Sequence, residues 1–156
     1  MDHLFCGSAI GAVSAAGDVV VPFFVRRAVE RRSCRTILFG VHETDPCVTG
    51  SDAGYPSLVQ SELERRRLRD EAEGVGPEAH HARLRRLFGL VEEASYDEEG
   101  RLVLPPMMRR RGAIEDLALF VGTGGNFELW NPHLARESGC EELRELAQYR
   151  LERVAA

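Results

Sequence analysis

The chain has 156 residues, 44% of them hydrophobic and 29% charged, with a formal net charge of -5. This is ordinary for a soluble globular protein of one compact domain, or of two half-domains sharing a core. The acidic balance excludes a polycation that holds nucleic acid by bulk charge, and no segment is long and apolar enough to span a membrane.

All 20 cationic residues are Arg, so every cationic contact is a planar fork suited to phosphate or guanine edges. Cys6, Cys34, Cys47 and Cys140 stand far apart without a C-x-x-C pair. They are expected as reduced, partly buried thiols of a cytosolic protein, with neither a metal spacing nor a disulfide framework.

In chain order, residues 4–17 carry no charge, but no Lys or Arg precedes Arg26 as a signal peptide would require. The stretch 5–13 reads as a first strand, 14–17 as a turn, and Val19-Val20-Val21 as a second strand ended by Pro22. FFVRRAVERR (23–32) places Phe24, Val25, Ala28 and Val29 on one helical face. ILFGV (37–41) reads as a strand, and a Gly/Asp/Pro-rich segment (43–56) closes the unit. A charged helix over 57–73 is expected to touch the body through Leu58, Val59 and Leu63. A second, over 77–90, starts at Pro77-Glu78 and turns Leu84, Leu87 and Phe88 inward.

LVEEASY, the turn DEEG, RLVLP, a short PMMRRRGAIED segment, LALFVG and FELW then follow. In the tail, Ser138 with Glu141 fits a capping box. A helix over 139–154 carries Leu143, Leu146, Ala147, Leu151 and Val154 as one stripe, expected to dock on its own subunit.

This order occurs twice. FCGSAIGAVSAAGDVVVP (5–22) aligns with FGLVEEASYDEEGRLVLP (88–105), setting Phe5 over Phe88, Gly17 over Gly100, Val20 over Val103 and Pro22 over Pro105. Such a repeat implies two copies of one unit burying their apolar faces on each other.

The copies differ at the turn. Asp97-Glu98-Glu99-Gly100-Arg101 has Gly where φ must be positive. Asp97 is placed to bond the turn backbone and to brace the Arg101 guanidinium for phosphate or base contact. The first copy has Ser14 and Asp18 instead. On spacing alone, D-x-x-G is more often a plain turn beside a solvated charge. Arg26 and Arg27 match Arg109 and Arg110, with Arg31, Arg32 and Arg35 following; Arg83, Arg85 and Arg86 form another cluster. Helix faces commonly carry such charges.

VGTGGNFE (121–128) lacks the G-K-[ST] ending of a phosphate loop and reads as a hairpin turn. His80-His81 reads as a solvated helix face rather than a metal site. Trp130 reads as core or subunit interface. No nucleophile motif is present, so no enzyme, cofactor, metal or small-molecule substrate is expected.

The loop D-x-x-G-R followed by a short apolar strand and Pro, present in one full and one altered copy, resembles the MraZ family of AbrB-like regulators. EASYDEEGRLVLPPMMRRRGAIEDLALFVGTGGNFELW (93–130) is similar to the second MraZ repeat almost end to end, and residues 4–22 with FxxRRAV match the first in layout. The resemblance implies a mainly β fold with flanking helices (α+β), its two AbrB-like repeats forming a pseudo-twofold swapped-hairpin, double-split β-barrel. It implies repeats at 5–53 (with the altered loop) and 88–134, a helical connector at 54–87 and a C-terminal amphipathic helix at 138–156.

It further implies a cytoplasmic, nucleoid-associated transcriptional regulator of the division and cell-wall gene cluster. As a homo-oligomeric ring it would bind direct repeats in double-stranded promoter DNA. Asp97 and Arg101 would be the DNA-facing pair, with Arg26, Arg27, Arg109 and Arg110 as supporting contacts. Ser14 and Asp18 depart from the family's pair. They leave room for an alternative, a ring-forming protein-interaction module that has lost DNA binding. An antitoxin-like regulator would need an extended tail, against which the amphipathic tail pattern speaks.

Overall fold

The computed structural model describes residues 3–155 except 33 and 139. The chain runs β1 (Ser8–Ala12), β2 (Asp18–Val20), α1 (Phe23–Arg32), β3 (Thr36–Val41), β4 (Val48–Ser51), α2 (Tyr55–Ala72) and α3 (Pro77–Leu84). A π-helical turn over Arg85–Gly89 follows, then β5 (Glu92–Ser95), β6 (Arg101–Val103), α4 (Pro106–Arg111), β7 (Leu117–Gly122), β8 (Phe127–Trp130), α5 (Pro132–Glu137) and α6 (Glu141–Ala155). This is the expected α+β class, mainly β with flanking helices. No helix among the described residues is long and apolar enough to cross a membrane.

Strand pairing crosses between the two similar stretches. All pairs are antiparallel. The large sheet has the order β1-β7-β8-β4-β3-β5, and β2 and β6 make a separate ribbon. Exchanging β1 with β5, β3 with β7 and β4 with β8 leaves that order unchanged. In the ribbon Val19 lies opposite Leu102, Asp18 opposite Val103 and Val20 opposite Arg101.

The strand–turn–strand order read over 5–21 and its counterpart in the second copy is thus not a pair of self-contained hairpins. Each turn closes, but its first arm joins the large sheet and its second the ribbon. A three-residue strand buries little against its own neighbour. Crossing to its counterpart sets Val19 and Leu102 side by side in the core, both almost fully buried.

The core centres on Phe127, whose ring lies 5.4 Å from that of Phe5, 6.0 Å from Phe120 and 6.4 Å from Phe39. β4 lies in the segment 43–56 that reads as loop, because Val-Thr-Gly-Ser has turn-like composition. Gly50 is there for space: a Cβ at this position would lie 2.1 Å from Phe127 Cζ. The 121–128 hairpin is as expected, with Val121 opposite Glu128 and Gly122 opposite Phe127.

Val25, Ala28 and Val29 of α1 are buried as expected, and Leu63 is buried on α2. Leu58 and Phe88, expected to face inward, are exposed. The π-helical turn adds an extra residue to its turn, which rotates Phe88 off the helical face assumed for it. Trp130 is buried, its Nε1 donating to Glu128 Oε1 at 2.9 Å. Cys47 is buried, whereas Cys6, Cys34 and Cys140 are exposed.

The expected capping box of the tail is also corrected. Ser138 closes α5, its Oγ donating to the Leu134 carbonyl at 2.7 Å. The Arg144 N–H donates to the Cys140 carbonyl, so the last helix begins at Glu141; residue 139 of the expected range lies outside the described residues. α5 itself reads as no element in the sequence. Asn131 starts it by accepting from the His133 and Leu134 N–H groups. α6 docks on its own chain as expected, with Ala147 buried and Arg150 Nε donating to Ser8 Oγ at 3.0 Å.

Gly50→Ala is expected to destabilise the protein by about 1–3 kcal/mol, since Phe127 is wedged among three other rings. A thermal unfolding midpoint equal to that of the parent would show that the ring can move aside.

Candidate nucleic-acid interface

The second loop is a tight turn. Asp97 N–H donates to the Arg101 carbonyl and Gly100 N–H to the Asp97 carbonyl, both at 3.0 Å. Gly100 has φ 84°, where a side chain would be strained. Asp97 Oδ1 accepts from the Arg101 and Glu99 N–H groups, each at 2.9 Å. The Arg101 N–H bond is the main cause holding the Asp97 carboxyl below its ordinary value, and the Glu99 N–H and the Arg101 charge add to it.

Asp97 thus braces the backbone of Arg101, not the guanidinium as the sequence suggests. The Arg101 side chain, 58% exposed, points outward with Nη2 3.9 Å from Glu99 Oε2.

The first loop keeps this geometry with other chemistry. Ser14 N–H donates to the Asp18 carbonyl at 3.0 Å, Gly17 N–H to the Ser14 carbonyl at 2.9 Å, and Gly17 has φ 95°. Ser14 Oγ accepts from the Asp18 N–H at 2.9 Å, as Asp97 does from Arg101. Its hydroxyl also donates to Asp18 Oδ2 at 3.1 Å. A hydroxyl replaces the carboxylate inside the turn, and a carboxylate replaces the guanidinium outside it.

Each loop is held by an arginine from the other half. Arg26 of α1 donates through Nη2 to the Glu98 carbonyl at 3.2 Å, and its guanidinium lies over the Tyr96 ring. Burial, with the Glu30 carboxylate adding, pushes the Tyr96 hydroxyl up to about 12, so this ring stays neutral. Arg109 of α4 donates to Ala15 O at 3.0 Å, Ile114 O at 3.1 Å and Glu115 O at 2.9 Å. The loops leave opposite ends of the β2–β6 ribbon, only three residues long. Its exposed face carries Asp18 and Arg101 as diagonal neighbours, about 7–8 Å apart.

No protein-family model matches the chain. A transcriptional regulator MraZ of Ruegeria pomeroyi is 28% identical, the match covering 85% of this chain and 80% of that protein. One of Gluconobacter oxydans is 26% identical over 86% of this chain and 79% of its own length. The MraZ of Rickettsia bellii is 35% identical over a shorter stretch, 50% of this chain and 57% of that protein. Several proteins named transcriptional regulator MraZ are thus similar to this chain over most of its length. The resemblance read closely from residues 93–130, and in layout over roughly residues 4–135, is matched by relatives that cover most of the sequence.

Within this MraZ-like frame the six predicted site residues fall into three pairs. Asp97 and Arg101 share the second loop, one inside the turn and one outside it. Arg26 and Arg109 sit behind the loops with their guanidinium groups engaged by loop carbonyls, a positioning role that the sequence reading missed. Its signal was present, because both residues occupy the same place in the repeat and both act across it. Arg27 is half-buried over the Phe23 ring, and Arg110 is exposed in the last turn of α4.

Two outcomes follow from this geometry. Arg109→Ala is expected to cost about 1–2 kcal/mol of stability, measurable by denaturant unfolding, because three carbonyls lose a charged donor. Asp97, with its carboxyl depressed in the folded state, contributes stability that is present above its ordinary value near 3.8 and is lost as pH falls through the folded value. Asp97→Asn should therefore flatten the acid limb of stability below about pH 4. Equal acid slopes for parent and variant would refute the brace.

Proposed function

We propose that this chain is a sequence-specific DNA-binding transcriptional regulator that works through the second loop, with Arg101 as the reading side chain. The observation that carries the reading is a mostly exposed guanidinium on a backbone fixed at three points: the Asp97 carboxylate, the glycine turn and the ribbon pair with Val20. Fixing the backbone while leaving the fork outside suits direct contact to phosphate or a guanine edge. The function for which the relatives are named, transcriptional regulation, points the same way.

In this reading residues 5–53 and 88–134 are two AbrB-like repeats closing a pseudo-twofold barrel. The connector 54–87 joins them, and the segment 138–156 buttresses the sheet. The protein is a non-enzymatic, cytoplasmic and nucleoid-associated homo-oligomer that regulates the division and cell-wall gene cluster. In a ring, many modest loop contacts on consecutive direct repeats multiply through effective concentration, so a net charge of -5 does not forbid binding. Arg27 and Arg110 supply peripheral phosphate contacts, whereas Arg26 and Arg109 hold the loops in place.

One observation favours a second reading. Asp18 puts a braced carboxylate beside Arg101 on the ribbon face, where it repels a phosphate backbone. A ring-forming module that binds a protein partner rather than DNA would carry such a mixed face.

Fluorescence anisotropy with DNA from upstream of the chain's own gene, against scrambled DNA and over a salt series, separates the two. Specific binding is expected. Arg101→Ala should weaken it about tenfold or more, while Arg27→Ala should lower affinity less and reduce mainly the salt slope. Absence of any preference for the upstream DNA at low salt would leave the partner-binding module standing.

A further inference from the structure

The chemically richest cluster outside the loops lies where the β3–β4 connection meets β8. His42 follows β3, Cys47 precedes β4, and Glu128 lies on β8. The 42–47 loop is closed by the His42 N–H donating to the Cys47 carbonyl at 3.2 Å. The ladder sets Thr49 opposite Glu128, which brings β8 against this loop. One donor atom from each of the three side chains lies within 4.8 Å of the other two. His42 Nε2 stands 3.5 Å from Glu128 Oε2. Donor atoms around a four-coordinate zinc ion are about 3.3–3.8 Å apart, given its bond lengths.

We propose that His42, Cys47 and Glu128 form a binding site for a zinc-type divalent transition metal, with the fourth position left to water. The donor set of one imidazole, one thiolate and one carboxylate suits zinc and the borderline metals near it. A thiolate and a carboxylate together balance the charge of a dication, which matters because Cys47 is buried among Leu119, Trp130 and Ala147. Glu128 is already oriented as a ligand would be. Trp130 Nε1 holds its Oε1 at 2.9 Å and leaves Oε2 turned to His42.

The tautomer of His42 shows what binding must move. Nδ1 accepts from the Asp45 N–H at 3.0 Å and the Thr44 N–H at 3.2 Å, so in this conformation the ring proton sits on Nε2. On binding, the metal takes the Nε2 lone pair, the ring proton moves through solvent to Nδ1, and the Cys47 thiol releases its proton to solvent. The Asp45 carboxylate, with Oδ2 3.9 Å from Nδ1, then becomes the acceptor, and the Asp45 and Thr44 amides turn away. Loop 43–46 and the metal are thereby coupled, with Asp45 as a positioning residue.

The test is a titration of the chelator-treated full chain with cobalt(II). One equivalent is expected to bind with a thiolate-to-metal charge-transfer band and to quench Trp130, the only tryptophan, with zinc then displacing the cobalt. Cys47→Ala should abolish the band, and His42→Ala should weaken binding about tenfold or more. Circular dichroism checks that each variant is folded. Should Cys47→Ala fail to fold, Glu128→Gln keeps an acceptor oxygen for Trp130 and should still weaken binding. Replacing the exposed Cys6, Cys34 and Cys140 by Ser together should leave the signal intact. Nitrogen NMR of His42 should show the proton moving from Nε2 to Nδ1 in the zinc-loaded chain. No stoichiometric uptake, a band that survives Cys47→Ala, or one lost in the triple Ser variant would overturn the site.

Discussion

The pairing of β2 with β6 is the constraint on which the rest of the structure depends. It holds Val19 against Leu102 at the centre of the molecule and obliges each turn to send its two arms into different sheets. Because both turns then end on one short ribbon, their outward residues share a surface. Residues far apart in sequence become a single face, and the cross-braces complete the arrangement. Arg26 reaches the second loop and Arg109 the first, so neither loop is positioned by its own half alone.

That architecture separates the shape of a loop from its charge. Ser14 performs for Asp18 the backbone service that Asp97 performs for Arg101, accepting the N–H of the residue four positions on. Geometry therefore survives in the first loop although its charge is reversed. A turn needs only an acceptor and a glycine with positive φ, and several side chains provide the former. Contact with an anion needs a cation outside the turn, and only the second loop has one there.

The cluster at His42, Cys47 and Glu128 is placed by the same sheet. β4 lies beside β8 in the middle of the ladder, and its neighbouring loop meets a carboxylate that Trp130 already orients. The docked α6 covers the same apolar cluster through Ala147 and Leu143. This end of the molecule thus joins the terminal helix, the only tryptophan and the proposed metal ligands in one packed unit.

Much of this was legible in the chain. The offset between residues 5–22 and 88–105 exposes the duplicated layout, the glycines at 17 and 100 mark both turns, and the apolar face of α1 follows from its spacing. Local chemistry determines such features, so the residues themselves report them. Although the family resemblance implied swapped hairpins, the residue pattern alone did not report the partner of each strand, because a short apolar strand is satisfied equally by its neighbour or by its counterpart; burial of Val19 with Leu102 decides between them. For the same reason Gly50 looks like a turn residue until Phe127 arrives from another strand. The engagement of Arg26 and Arg109 also depends on carbonyls brought in by the fold. Sequence by itself determined the turns, the periodic helices and the unequal charges at positions 18 and 101. Only the tertiary structure decided which groups meet, since those contacts are made between segments whose separation along the chain carries no information about distance in space.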